Sequence, residues 1–122
     1  MIRIKRAYEP AEPMDGERYL VERLWPRGIR KDELEIAGWV RDVAPSSELR
    51  RWFGHDPEKW AEFRRRYFEE LDQNHSAWGP LLELATRHDL TLIYSARDTE
   101  HNNAVALKDY LNERLRWLQR AA

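Results

Sequence analysis

At 122 residues the chain has room for a single domain built on one core. Apolar residues make up 42% and charged residues 35%, with six Trp, five Tyr and three Phe, a balance that buries a core beneath a charged skin and excludes a disordered chain. The 21 Lys and Arg against 22 Asp and Glu leave a formal net charge of −1, so no global field draws the molecule to nucleic acid, and the lack of Cys excludes disulfides, thiolate catalysis and thiolate metal sites.

No secretory start precedes the first folding residues, and no apolar run approaches the roughly 20 residues that cross a bilayer. With the absence of Cys, this makes a cytosolic, cytoplasmic protein the expectation, with no membrane partner.

Residues 2 to 8 alternate Ile2, Ile4 and Tyr8 with Arg3, Lys5 and Ala7, the period of a half-buried strand. Pro10, Pro13 and Gly16 break the chain before a second strand over 18 to 25, which Pro26-Arg27-Gly28 stops. Between 29 and 45 the pattern is weakest, with a helical turn expected over 31 to 36 and a short strand over 38 to 43. Ser46 or Ser47 caps a brief helix that Gly54 ends. Asp56-Pro57 starts the next, with Trp60, Phe63, Tyr67 and Leu71 on its inner face.

A further helix begins near Ser76 to Pro80 and turns Leu81, Leu84 and Ala85 inward. The run Leu90-Thr91-Leu92-Ile93-Tyr94 is nearly unbroken apolar and lies between helices, the signature of a central parallel strand. A last helix is expected from about Thr99 to Arg120 on the stripe Ala104, Leu107, Leu111, Leu115 and Leu118. The predicted architecture is α/β: a single domain over 1–122 with a small, mostly parallel three-layer sheet and helices on both faces.

Polar side chains concentrate at Ser95-Ala96-Arg97-Asp98-Thr99-Glu100-His101-Asn102-Asn103, the turn from the apolar strand into the last helix. Ligands of open α/β sheets bind beyond the carboxyl ends of strands, where a helix start offers N–H groups to anions, here at Asp98 to His101. Arg97 adds a bidentate clamp. A second cluster, Arg23, Trp25, Arg27, Gly28 and Lys31, follows the second strand. If the two strands are parallel neighbours, both clusters meet at one edge and their cations call for a phosphate, sulfate or carboxylate.

The competing reading pairs those cations internally with Glu22, Asp32, Glu33 and Asp98, and makes Asp98 or Thr99 an ordinary helix cap. His101 or His55 is the candidate proton carrier, with Asp98 to orient it. His55 equally fills a turn beside the Asp56 cap. The trio His55, His101 and Asp98 is the one metal grouping conceivable after folding, and no dedicated metal-ligand spacing supports it. No P-loop, Gly-x-Gly-x-x-Gly, Gly-x-Ser-x-Gly or His-Glu-x-x-His occurs, so no cofactor is implied. A nucleic-acid or protein contact would have to use local patches, Arg27 to Lys31 and Arg64 to Arg66.

The chain closely resembles the YeaO-like branch of the domain-of-unknown-function 488 family, a group of small bacterial proteins, over nearly its whole length. The resemblance rests on Asp15-Gly16-x-Arg18-Tyr19-Leu20-Val21-x-Arg23-Leu24-Trp25-Pro26-Arg27-Gly28, on Ala44-Pro45-Ser46 through Leu49-Arg50-x-Trp52-Phe53-x-His55, on Phe63-x-x-x-Tyr67 and on His101-Asn102-x-Ala104. It implies an α/β fold and no established activity. Broader members of the group carry a Cys after the apolar strand and a Cys-His-Arg further on, where this chain has Ser95 and His101-Asn102-Asn103. The departure removes a thiol mechanism and leaves anion binding as the shared expectation.

Overall fold

A computed structural model describes residues 1–121. Four strands, β1 (Ile2–Arg6), β2 (Glu17–Leu20), β3 (Gly38–Trp39) and β4 (Leu90–Tyr94), form one sheet in the order β1-β4-β2-β3 with every pair parallel. The helices are α1 (Ser47–Phe53), α2 (Trp60–Asp72), α3 (His75–Ala85) and α4 (Asn103–Ala121).

β4 is buried at all five residues because it has a strand on either side and a packed layer over each face. Leu90, Leu92 and Tyr94 join Ile2 and the inward stripes of all four helices in the main core. Ile93 instead packs with Ala7, Leu20 and Leu34 under Trp25, Ile29, Ile36 and Trp39. The α/β three-layer reading holds, with unequal layers. All four α-helices cover one face; the other carries the 3-10 helix Pro13–Asp15 and the segment from 21 to 37.

α1 has a side-chain cap built into the tertiary structure. Ser46 Oγ accepts the Leu49 N–H at 3.1 Å and donates to Glu70 at 2.6 Å, and the same carboxylate takes the Ser46 N–H at 2.8 Å. Ser46→Ala is therefore expected to cost about 1–2 kcal/mol, read as a lower urea midpoint at unchanged slope.

Three sequence expectations shift. β2 stops at Leu20, not Trp25, because its partner β4 ends at Tyr94: Leu20 already lies opposite Ile93, and one more bond, Val21 N–H to Ile93 O, closes the ladder. The strand expected over 38 to 43 is two residues long and gives way to a 3-10 turn at Arg41–Val43. The last helix begins at Asn103 rather than Thr99, because Asp98 draws the intervening residues into a turn of their own.

The alternating pattern of β1 hides a buried charge cluster. Asp15 is 3% exposed, Arg18 7% and Lys5 9%. Asp15 receives Lys5 Nζ at 3.2 Å, Arg18 Nη1 at 2.6 Å and the Glu12 N–H at 3.0 Å, while Arg18 Nε donates to Glu35 O. Thr91 on β4 donates to Asp15 O at 2.6 Å, which fastens the cluster to the sheet.

Candidate functional site

Because every strand runs in the same direction, the segments following β1, β2 and β4 all emerge at one edge. β2 and β4 are parallel neighbours, so the two polar clusters of the sequence do meet there. A cavity of about 920 Å³ opens at this edge. One wall comes from the segments after β1 and β2 (Arg6, Tyr8, Trp25, Arg27) and the facing wall from α1 and its end (Arg50, Arg51, Phe53, His55). The turn from Ser95 to Asn103 closes the site between them.

Specific bonds fix each wall. Arg6 holds the Ser95 and Ala96 carbonyls at 3.2 and 2.9 Å and lies 4.9 Å over the Tyr8 ring. Tyr8 donates its hydroxyl to Arg27 O at 2.9 Å, tying the second loop to the first. Trp25 is locked by its indole N–H on Ile29 O at 2.6 Å and by an edge contact with Trp39 at 5.3 Å. On the other side, Phe53 stacks on Phe63 at 4.3 Å, and Trp60 lies between Phe53 and His101.

Gly54 and His55 both adopt left-handed backbone, with φ of 54° and 57°. His55 is the one non-glycine residue with positive φ among those described, a conformation His tolerates better than most, and it brings the ring to the cavity beside Phe53 at 6.4 Å.

The 95–103 turn is organised by Asp98. Its Oδ1 accepts the N–H groups of Glu100 and His101 at 2.9 and 3.0 Å, and Oδ2 meets His101 Nδ1 at 2.9 Å. The Glu100 N–H, and then His101, hold the Asp98 carboxyl below its ordinary range against the effect of burial. A carboxylate only accepts, so His101 Nδ1 is the donor in this contact. Asn102 is the true cap of α4: its Oδ1 accepts the Val105 N–H at 3.0 Å and its Nδ2 donates to Asp98 O. The N–H groups of Glu100 and His101 are thus occupied by Asp98, contrary to the expectation that they are open to a ligand.

Of the sequence candidates, Trp25, Arg27, His55, Ser95, Arg97, Asp98, His101 and Asn102 line the cavity. Gly28 and Lys31 lie outside its lining, with Lys31 about 6 Å from the Trp25 and Trp39 rings. Arg23 also lies outside the lining: its Nη2 reaches Ala44 O at 3.4 Å, and its buried Nε has no partner in the structure. His55, His101 and Asp98 share the cavity without forming a metal-sized cluster, and no such cluster of three occurs among the described residues.

Arg6, Arg50 and Arg51 were missed by sequence reasoning, whereas Glu22 was expected there as an ion-pair partner. Arg6 carried a usable signal, since it ends a strand at the carboxyl edge. The arginines of α1 did not, because nothing in the sequence says which sheet edge α1 packs over.

Five arginines therefore face two carboxylates, Glu22 and Asp98. Glu22 Oε1 accepts the Ser95 N–H at 2.8 Å, and Asp98 is committed as above. Among the described residues no carboxylate lies within ion-pair distance of any of the five arginines. Asp32 and Glu33, the other expected partners, both lie 3.5 Å from Arg30.

The second basic stretch is organised differently. Arg65 pairs with Glu62 at 2.8 Å and also with Glu69, Arg66 pairs with Glu62 at 2.8 Å and Arg64 with Asp109 at 3.2 Å. Arg65, followed by Arg66, holds the Glu62 carboxyl down at about 2.

No described helix is long and apolar enough to cross a membrane. The whole chain, residues 1–122, matches a family described as the inactive DUF488-N3 subclade. It is 44% identical over 110 residues to the uncharacterized protein YeaO of Escherichia coli (strain K12), covering 90% of this chain and 96% of that protein. It is 43% identical over 113 residues to the uncharacterized proteins Mb3100c of Mycobacterium bovis and Rv3073c of Mycobacterium tuberculosis (strain H37Rv), covering 93% of this chain and 95% of each. No solved structure matches it. With its full length matched and its YeaO-like motifs in place, the chain belongs to the DUF488-N3i family.

Proposed function

We propose that the carboxyl-edge cavity is a binding site for a small anionic ligand that is held without being turned over. The observation that carries this reading is the set of five cavity arginines with no carboxylate partner among the described residues. None of the five is buried, but crowding like charges at one edge is unfavourable and an anion joining them relieves it. Guanidinium groups suit phosphate and carboxylate oxygens because they present paired donors in one plane.

Binding without chemistry accords with three features. Ser95 stands where a Cys nucleophile is expected in the broader group, and its hydroxyl lies 3.4 Å from Glu22, a longer contact than an activated nucleophile shows with its base. The oriented His101–Asp98 pair and His55 are the remaining proton carriers, and neither is hydrogen-bonded to a Ser, Thr or Tyr hydroxyl among the described residues. The matching family is described as inactive.

A contact face for nucleic acid on Arg64 to Arg66 is disfavoured by the carboxylates that already meet those residues.

The test is thermal stability against phosphate, sulfate, pyrophosphate, sugar phosphates, nucleotides and short oligonucleotides, with Arg97→Ala and Arg51→Ala as comparisons. Both residues are exposed, so the variants keep the fold. A native-state ligand at 100 times its dissociation constant adds about 2.7 kcal/mol. The expected result is stabilisation of the parent by small anions, weakened in both variants and reduced by salt. Absence of any anion-dependent shift in the parent contradicts the proposal.

A further inference from the structure

The cavity is much larger than a single phosphate and is lined by aromatic rings as well as by arginines. Its five arginines outnumber its two carboxylates by three. That excess favours a ligand with at least two negative charges over a monoanion. At about 920 Å³ the space lies in the range of pockets that enclose a whole organic ligand rather than a bare ion.

The wall beside Arg27 supplies a surface for that organic body. Trp25 lines the cavity and its ring is already held at the indole N–H and braced against Trp39, so engaging a ligand requires no further ordering of the side chain. Its hydrogen-bonding capacity is already used on Ile29 O, which leaves stacking as the interaction it offers to a ligand. We infer that the ligand is a nucleoside phosphate, with its phosphate on the arginines and its base stacked on Trp25. This rests on the anion-binding reading and goes further by assigning the uncharged half of the ligand.

Direct titration of the full chain by calorimetry with a nucleoside 5′-monophosphate, ribose 5-phosphate, inorganic phosphate and the nucleoside alone separates the two ideas. Base–aromatic stacking predicts that the nucleotide binds about 5- to 150-fold more tightly than ribose 5-phosphate. Trp25→Ala should remove that advantage and Trp25→Phe should restore part of it, while inorganic phosphate binds all three proteins alike.

Equal affinity of the parent for nucleotide and ribose 5-phosphate overturns the inference and leaves the anion site standing. Nucleoside binding as tight as nucleotide binding overturns it as well. If none of the four binds, both readings fall. The comparison among ligands on the parent protein decides the matter even if a Trp25 variant is unstable.

Discussion

Asp15→Ala is expected to cost about 3–5 kcal/mol, the range for removing one partner from a buried ion pair. The substitution leaves the buried Arg18 without a carboxylate, leaves Lys5 with Glu12 alone at 2.6 Å, and orphans the Glu12 N–H. Against a typical total stability of about 5–15 kcal/mol, the variant stands near its unfolding threshold at room temperature. Equilibrium urea unfolding checks this. A cost below about 1 kcal/mol would mean that the cluster is solvated and contributes little.

The same carboxylate gives the protein an acid limit. Burial pushes the Asp15 carboxyl up, but the Glu12 N–H, Lys5 and Arg18 outweigh it and hold the group below its ordinary range. Because the folded value is the lower one, the contribution is fully present above the unfolded pKa of about 3.9 and is lost as pH falls through the folded value. The parent should therefore lose stability as pH drops below about 4, and Asp15→Ala should lose less over the same interval. Asp89 and Asp98 are lowered too and add to the slope in both proteins.

Gly16→Ala is the second large effect. Gly16 has φ 65° and ψ −135°, and a Cβ built there lies 2.3 Å from Asp89 O, a backbone atom that also accepts the Glu17 N–H. Backbone strain of about 1–3 kcal/mol and overpacking of about 1–3 kcal/mol add to roughly 2–6 kcal/mol. Gly28 is the control: its φ is 78°, and nothing lies within 4 Å of its Cβ position. Gly28→Ala should show only the backbone part, about 1–2 kcal/mol. Equal losses in the two variants, measured by the same unfolding curves, would mean that the Asp89 carbonyl gives way.

Where local pattern and tertiary role coincided, the fold was legible. The unbroken run from Leu90 to Tyr94 marked the central strand, and Ser46 with Gly54 bracketed α1. Where a boundary depended on a neighbour, it was not: β2 ends because β4 ends, and α4 starts late because Asp98 prefers its own turn. Lys5 read as the polar side of an amphipathic strand because sequence does not reveal that Asp15 and Arg18 wait on that face.

The candidate site was legible in one half. Arg27 and the 95–103 turn announced themselves as polar clusters after strands, and the parallel pairing of β2 with β4 joins them. On the α1 wall His55 was named, but Arg50 and Arg51 stayed hidden because they sit on a short helix whose packing direction is set by Leu49 and Phe53, far along the chain from β4. Arg23 read as one of the ligand-holding cations; it lies outside the cavity lining with its Nη2 3.4 Å from Ala44 O.

If anions enter the carboxyl-edge cavity, titrating isotopically labelled protein with inorganic pyrophosphate should move the backbone amide resonances that surround it. Saturable shifts are expected at Trp25 to Gly28, Arg50 to His55 and Ser95 to Asn103, with the α2 arginine face at Arg64 to Arg66 unmoved. Shifts that fail to saturate, or that centre on α2, would contradict anion entry at the cavity.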